Sequence, residues 1–271
     1  MFHNGLTSNK VKNMTYSYNA VYNQVWANAE KDFREMDIDS NRFLDAPYTI
    51  TKAKLYALSA AVIVKCVQNV GTITPNLITL IYALSGFLSL AFFLQDSFIL
   101  KISALFYFFL IKGALDWSDG ALARLRGLTS ELGRILDIWG AHVNNIAFYI
   151  LLYFHVYQYE QQGWILYLLV CLLTLKSVDI NDQVFKYYSL ANIGPTTTTT
   201  PNRINKSKTL MLEIIKWPIS DRARTLDVYL LVILFEMLVS NSSILTSYII
   251  FFIPALTMVR LLYNFKAIRI L

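Results

Sequence analysis

The stretch FILKISALFYFFLIKGALDWSDGALARL, residues 98–125, begins as an almost wholly apolar run and ends among charged side chains. Before Asp116, only Lys101 and Lys112 are charged. A helix needs about 20 predominantly apolar residues to cross the hydrocarbon core of a bilayer. The stretch therefore predicts a membrane-spanning helix that continues beyond the apolar region with polar residues at its end.

Apolar blocks of this kind recur along the chain. Of its 271 residues, 55% are hydrophobic and only 15% are charged, whereas soluble domains have about 25% charged residues. We predict an all-α integral membrane protein with six membrane-spanning helices. They are placed at 75–95, 98–118, 138–158, 163–184, 226–240 and 244–263, and we expect the second and third to extend as helices through 98–125 and 130–158.

The segment before the first span, residues 51–70, is apolar but contains Lys52, Lys54 and Lys65. This mixture is typical of an amphipathic helix that lies on the membrane surface, and a full span is the alternative. Pro75 follows a break in the chain and suits the first turn of the next helix. We therefore expect a surface helix ahead of the six spans.

Basic residues accumulate in alternate connections. One connection contains Arg124, Arg126 and Arg134, and both the connection between spans four and five and the C-terminal end are rich in Lys and Arg. The positive-inside rule places both termini and these connections in the cytoplasm. The net charge of +6 then indicates an anionic lipid surface or a phosphate substrate rather than nucleic acid. We divide the chain into a cytoplasmic extension, 1–50, and a membrane domain, 51–271.

Three carboxylates stand at the ends of apolar helices, where ionised groups are costly and usually functional. Asp116 and Asp119 are three residues apart and share a helix face, while Asp137 begins the next helix and can face them. They would repel one another unless a cation lay among them, and Mg²⁺ or Mn²⁺ suits such oxygen ligands. The alternative is a structural ion-pair network with Arg124 and Arg134.

Small residues and an arginine surround these carboxylates. Gly120 and Ala123 remove bulk one turn further along the helix, and Gly133 opens space where the next helix starts. Arg124 presents a planar donor fork that suits phosphate. This combination favours a nucleotide linked through a pyrophosphate.

The whole stretch, DWSDGALARLRGLTSELGRILDIWGAHVNN at residues 116–145, resembles the signature of the CDP-alcohol phosphotransferase (CDP-alcohol phosphatidyltransferase) family, D-x2-D-G-x2-A-R-x8-G-x3-D-x3-D. The resemblance implies a preceding surface helix, six membrane helices and a cytoplasmic active site. The positions that match in type and spacing are Asp116, Asp119, Gly120, Ala123, Arg124, Gly133 and Asp137. It further implies that the three aspartates bind the divalent metal, and that the nucleotide is bordered by Asp116, Gly120, Ala123, Arg124 and Gly133.

The implied reaction transfers a substituted phosphate group from a CDP-linked donor to an acceptor alcohol and releases CMP, in phospholipid biosynthesis. Two arrangements are open: CDP-diacylglycerol with a small polar alcohol, or a CDP-linked small alcohol with diacylglycerol. The expected partners are donor, acceptor and membrane lipid, without nucleic acid, and a homodimer is compatible. Arg222, Arg224 and Lys176 are candidates for acceptor binding. The alternative is positive-inside anchoring for the two arginines and an ion pair with Asp179 for Lys176.

One position departs from the signature. Its last aspartate should stand where this chain has Ala141. In the family that carboxylate helps to bind metal and is the proposed base for the acceptor hydroxyl, and a methyl group cannot accept a proton. His142 is adjacent, but on a helix it is rotated by about 100°. Three explanations are open: an inactivated variant, a natural homologue with another base, or a pseudoenzyme that only binds CDP-linked ligands.

Isolated polar residues in the apolar blocks have plainer interpretations. Glu236 is expected to face the helix bundle and to form a structural hydrogen bond, and His155 is expected at the membrane interface. Cys66 and Cys171 are far apart, form no metal-ligand or disulfide pattern, and are expected to be buried.

Overall fold

The computed structural model describes residues 16–35, 45–159, 222–240 and 242–268. Within these ranges the regular structure is helical throughout, without a strand. The helices are α1 (Tyr18–Glu35), α2 (Thr51–Val67), α3 (Pro75–Phe93), α4 (Phe98–Phe106), α5 (Lys112–Arg126), α6 (Glu131–Tyr157), α7 (Arg222–Phe235) and α8 (Ile244–Ile268). Short π-helical stretches precede α2 (Asp45–Ile50), join α4 to α5 (Tyr107–Ile111) and follow α7 (Glu236–Ser240).

In the described part of the chain, three helical runs are long and apolar enough to cross a membrane: Pro75–Phe93, Phe98–Arg126 and Glu131–Tyr157. They coincide with the first three predicted spans and indicate a membrane protein. The second and third continue beyond the predicted spans, as expected, to Arg126 and back to Glu131. The fourth predicted span, 163–184, lies outside the described residues, so the arrangement of six spans stays a prediction.

The described residues form two compact units, and the first comprises those within Met1–Ser89 and Phe106–Asn144. Its core lies where α1 and α5 pack on α2, whose small side chains allow the helices to approach closely. The buried residues of this cluster are Val21, Val25, Ala57, Ala61, Val64, Ile78, Ala121 and Leu122. The same packing leaves Cys66 on the exposed face of α2, so the expectation that Cys66 is buried was wrong.

Lys52 and Lys65 of α2 contact other parts of the protein, so the lysines of this helix do not form one solvent-exposed charged face. Lys52 is only 8% exposed, and its ammonium group lies 4.7 Å from the centroid of the Phe109 ring, with the rings of Tyr48 and Tyr56 nearby. Lys65 donates to the carbonyl oxygen of Tyr16 at 2.8 Å. Burial of the Lys52 ammonium is tolerable because aromatic faces attract cations.

The helix α5 ends at Gly127, which adopts the left-handed conformation with φ 65°. The amide of Leu128 then donates to the carbonyl of Ala123 at 2.8 Å, as in a glycine-terminated helix. Only four residues, 127–130, separate α5 from α6. The three arginines assigned to one connection, Arg124, Arg126 and Arg134, therefore lie on helix ends rather than in a loop.

The second unit comprises the described residues within Leu90–Leu105 and Asn145–Leu271. Its described core includes Phe93, Phe148, Leu151, Leu152, Tyr229, Ile233, Ile250 and Ile253. Within this apolar core, Nε2 of His155 lies 3.0 Å from Oε2 of Glu236, and the amide of Thr246 donates to Oε1 of Glu236 at 3.0 Å. Glu236 thus has the structural hydrogen bonds expected of it. His155 is buried within this unit, and its position at the membrane interface stays a prediction.

Candidate active site

The three aspartates of the signature come from two helices of the first unit. Asp116 and Asp119 lie on α5, and Asp137 lies in the second turn of α6. The carboxyl groups of Asp116 and Asp137 are within hydrogen-bonding reach of each other, and Asp119 is close enough to both to act on them electrostatically. The structure therefore brings together the negative charges that the spacing suggested would converge.

Asp119 is held by two hydrogen bonds. It is 5% exposed, and its Oδ2 accepts a hydrogen bond from the hydroxyl of Thr79 at 2.5 Å, while its Oδ1 accepts from the amide of Gly120. Thr79 lies one turn into α3, so this bond also joins α3 to α5. A buried carboxylate needs such donors because burial removes its hydration.

These carboxylates suit a hard divalent cation by their chemistry, since Mg²⁺ and Mn²⁺ prefer oxygen ligands. In the described ranges, however, no three His, Cys, Asp or Glu side chains form a ready ligand set for a metal. At Asp119 each carboxylate oxygen accepts one hydrogen bond from the protein and keeps a lone pair for a further partner. The donor type therefore fits the metal.

A cavity of about 450 Å³ lies beside the carboxylates, between the start of α3, the end of α5 and the start of α6. Its wall includes six residues of the signature: Asp119, Gly120, Ala123, Arg124, Gly133 and Asp137. Asn76, Thr79, Ser130, Glu131 and Arg134 also line it. The walls hold acidic, basic and hydroxyl groups together, as a phosphate-bearing ligand with a bound cation would require.

The two signature glycines keep this cavity open. A methyl group on Gly120 would lie 3.2 Å from Nη1 of Arg124, and one on Gly133 would lie 3.2 Å from the hydroxyl of Ser130. Gly120 thus leaves room for the Arg124 guanidinium to fold over its backbone. The approach of a ligand to the backbone at these glycines stays a prediction.

The guanidinium of Arg134 contacts a residue of its own helix, α6. It forms an exposed ion pair with Glu131, one turn earlier on α6. Exposed pairs of this kind contribute little to stability. Glu131 and Arg134 form part of the cavity rim, and the alternative of an ion-pair network that joins Arg134 to the aspartates has no support in these contacts.

Ala141 lies one turn after Asp137 on α6 and is half-buried. His142, its neighbour, is exposed and does not line the cavity. One turn beyond Ala141, Asn144 is fully buried and donates to the carbonyl of Tyr82 at 2.9 Å, while the hydroxyl of Tyr107 donates to its Oδ1 at 2.8 Å. Asn144 therefore fastens helices together.

The proposed acceptor residues are only partly described. Lys176 lies outside the described residues, and so does the side chain of Arg222. Arg224 lies in the first turn of α7 and is half-buried. Their assignment to acceptor binding stays a prediction.

Sequence reasoning missed two contributors to this site. Thr79 donates a hydrogen bond to Asp119. The feature of the sequence that could have identified Thr79 is its position one turn after Pro75, at the start of α3. Arg126 was counted only as a basic residue of a connection, yet its guanidinium binds four backbone carbonyls of the first unit. No local pattern identifies such long-range partners.

Comparison with known proteins agrees with this geometry. A family model described as CDP-alcohol phosphatidyltransferase matches residues 72–215, which include the cavity residues on α3, α5 and α6. Neither the curated proteins nor the solved structures give a match. The family comprises transferases of phosphate-containing groups that use CDP-alcohols in phospholipid synthesis. Since the matched region is more than half of the chain, this protein belongs to the CDP-alcohol phosphatidyltransferase family.

Proposed function

We propose that this chain binds a CDP-linked donor in the cavity between α3, α5 and α6 and is an enzyme that transfers the donor's substituted phosphate group to an acceptor alcohol, with release of CMP. The observation that supports this proposal is the cavity wall, where Asp119, Arg124 and Asp137 meet small residues. The donor is either CDP-diacylglycerol or a CDP-linked small alcohol. Both share the CMP moiety, which the cavity would recognise.

Asp116, Asp119 and Asp137 would hold a divalent cation, Mg²⁺ or Mn²⁺. Such a cation, when bound, offsets negative charge on the donor pyrophosphate and improves CMP as a leaving group. Thr79 keeps Asp119 oriented within the wall. The mutual proximity of the carboxylates supports this assignment, because without a cation their repulsion would be costly in a half-buried site.

The residues of α5 would bind the nucleotide itself. Arg124 would contact phosphate oxygens through its donor fork, and the glycine at position 120 would allow the ligand to approach the helix backbone. Ala123 and Gly133 would border the nucleotide in the same way. Arg222, Arg224 and Lys176 would bind the acceptor, a role that suits a phosphorylated or otherwise polar alcohol.

Ala141 determines how much turnover this chain supports. A carboxylate at this position would take the proton of the acceptor hydroxyl as the oxygen attacks phosphorus, and a methyl group cannot. We therefore expect impaired transfer. The second candidate function, which Ala141 specifically favours, is a non-catalytic membrane protein that binds CDP-linked ligands without turning them over.

In the membrane, we propose six spanning helices within a domain at 51–271, with α2 lying on the cytoplasmic surface as an amphipathic helix. Residues 1–50 would form a cytoplasmic extension. The basic helix ends around Arg124 and Arg134 support a cytoplasmic active site and cytoplasmic termini. A homodimer is compatible with this arrangement.

The test is a transfer assay on purified protein in lipid vesicles, with Mg²⁺ or Mn²⁺ and a panel of CDP donors and acceptor alcohols. We expect little product from the chain with Ala141 and at least about 100-fold more from Ala141→Asp, since general-base catalysis contributes roughly that factor or more. Binding of radiolabelled CMP by both proteins provides the reference. Equal and substantial turnover by both would show that position 141 is not the base.

Loss of CMP binding in Arg124→Ala, together with retained binding in the exposed control Ser103→Ala, would place the nucleotide at α5. CMP binding without turnover by Ala141→Asp for any donor would favour the non-catalytic function. Absence of CMP binding in the unsubstituted chain would contradict both candidate functions.

A further inference from the structure

One arginine of the first unit joins two segments that are far apart in sequence. Nη2 of Arg126 donates to the carbonyls of Val67 at 3.1 Å, Gln68 at 2.9 Å and Val70 at 3.1 Å, and its Nη1 donates to the carbonyl of Ile73. These carbonyls belong to the C-terminal end of α2 and to the connection that leads into α3. A single side chain on the last turn of α5 therefore holds the whole connection.

Arginine is chemically suited to this position. The last carbonyls of a helix have no partner within the helix, and they form the negative end of its dipole. A guanidinium has five donors in a rigid planar fork, so it can satisfy several carbonyls at once. A lysine keeps the charge, but its single ammonium cannot reach carbonyls on both sides of the connection with the same geometry.

We call these contacts between Arg126 and residues 67–73 the joint. In sequence the joint is adjacent to the cavity wall, because Ile73 is followed closely by Pro75, Asn76 and Thr79 of the α3 wall, and Arg126 follows Arg124 of the α5 wall. Arg126 itself does not line the cavity. Its hydrogen bonds thus link the entry of α3 to the end of α5, and the bond from Thr79 to Asp119 links the same two helices at the cavity wall.

The N-terminal segment reinforces the same joint. The hydroxyl of Tyr16 donates to the carbonyl of Leu125 at 3.2 Å, and the amide of Tyr16 donates to the side chain of Gln68 at 3.0 Å. Lys65 donates to the Tyr16 carbonyl. The beginning of α1 is therefore fastened to the end of α2 and the end of α5 at once.

We propose that Arg126 is a positioning residue that sets the separation of the α3 and α5 walls, and thereby the affinity of the cavity for the CMP moiety of the donor. This inference rests on the proposed function. Arg126 acts through the backbone entry to α3 on one side and through Arg124 and Asp119 on the other. It does not touch the nucleotide.

The first experiment compares CMP binding to the unsubstituted chain and to Arg126→Lys, by equilibrium dialysis in detergent with excess Mg²⁺. The substitution retains the positive charge, so the long-range attraction of phosphate is preserved. Only the planar set of guanidinium donors is lost. We expect the dissociation constant to rise roughly 10-fold, which corresponds to about 1.4 kcal/mol. The salt dependence of binding should stay that of the unsubstituted chain.

The matched control is Val25→Ala, which removes buried volume between α1 and α2 in the same unit without touching the joint. Temperatures are chosen at which both variants are folded by circular dichroism. Weakened CMP binding in Arg126→Lys but not in Val25→Ala supports positioning. Unchanged binding in Arg126→Lys, or equal weakening in both variants, overturns it.

The second experiment needs no variant, which matters if Arg126→Lys does not fold. Hydrogen exchange of the unsubstituted chain is followed with and without saturating CMP and Mg²⁺. We expect slower exchange at the amides of residues 68–74, which lie behind the cavity wall. Unchanged exchange there, with CMP bound, overturns the proposal, whereas failure of the unsubstituted chain to bind CMP would contradict the proposed function instead.

Discussion

At the residue scale, the chemistry of the site depends on how a buried carboxylate is held. Asp119 is nearly inaccessible, and its two oxygens accept hydrogen bonds from Thr79 and from the amide of Gly120. These donors replace the water that burial removes and keep the charge at the cavity wall. The orientation of Asp119 is therefore fixed before any ligand arrives.

Replacing Thr79 with valine tests this support, because the side chain keeps its shape and loses only the hydroxyl. We expect the free energy of unfolding to fall by about 1–3 kcal/mol, since a buried carboxylate loses a donor. Thermal and denaturant unfolding in detergent measure this. The control is Ser103→Ala, whose hydroxyl bonds to its own helix on an exposed face and should change stability very little. Equal effects of the two substitutions would contradict the assigned support.

At the scale of the element, α5 contributes most of the site, and its end determines the direction of the chain. The helix continues past the apolar region to Arg126 and stops at Gly127, whose φ of 65° is disfavoured for other residues. The turn then places Leu128, Thr129 and Ser130 in the cavity wall. A glycine at this point therefore connects helix termination with the shape of the cavity.

We expect Gly127→Ala to destabilise the protein by about 1–2 kcal/mol, because the alanine must adopt a left-handed conformation. No steric clash contributes, since a methyl group there would meet no atom within 4 Å. Gly71→Ala is the matched control: it is equally open, but its backbone is not left-handed, so its effect should stay within about 0.5 kcal/mol. Equal stabilities of the two variants, measured by denaturant unfolding, would rule out a conformational cost at Gly127.

At the scale of the whole molecule, each compact unit contains polar groups that join helices distant in the chain. In the second unit, His155 of α6 is 1% exposed and Glu236 is fully buried, and their side chains lie 3.0 Å apart. Thr246 at the start of α8 donates to the same carboxylate. The cluster therefore fixes the ends of three helices around one buried acid.

A double-mutant cycle with His155→Leu and Glu236→Met measures this coupling. Each single substitution leaves a buried polar partner and should destabilise the protein by about 3 kcal/mol or more. The double substitution removes both groups of the pair, so its cost should be clearly below the sum of the two single costs. Strict additivity in detergent unfolding experiments would show that the two residues do not interact energetically.

Several features of this fold followed from the sequence because they depend on neighbours in the chain. Apolar length predicted α3, the α4–α5 run and α6, since crossing a bilayer sets a minimum number of apolar residues. The three-residue spacing of Asp116 and Asp119 predicted a shared helix face. The resemblance to a family signature predicted which small and charged residues would meet, and the cavity contains six of them, although their roles remain predictions.

Other features depend on packing between segments that no local pattern connects. Lys52 belongs to a helix expected on the membrane surface and is buried among aromatic rings, of which Tyr48 and Tyr56 are near in the chain and Phe109 is distant. His155 is buried beside Glu236, which is 81 residues away. Cys66 faces outward because α2 turns its alanines towards α1 and α5. Phe109, Glu236 and the helices that pack on α2 are all distant in sequence, so helical periodicity contains no information about them.

By itself, the amino-acid sequence determined the class of this protein, the course of its first membrane helices and the chemical character of its site, because hydropathy, helix periodicity and motif spacing are properties of adjacent residues. Only the tertiary structure decided that Thr79 holds Asp119, that Arg126 joins α5 to the entry of α3, and that His155 pairs with Glu236. Those contacts form when helices pack, and the geometry of packing is set by side chains that meet across the fold.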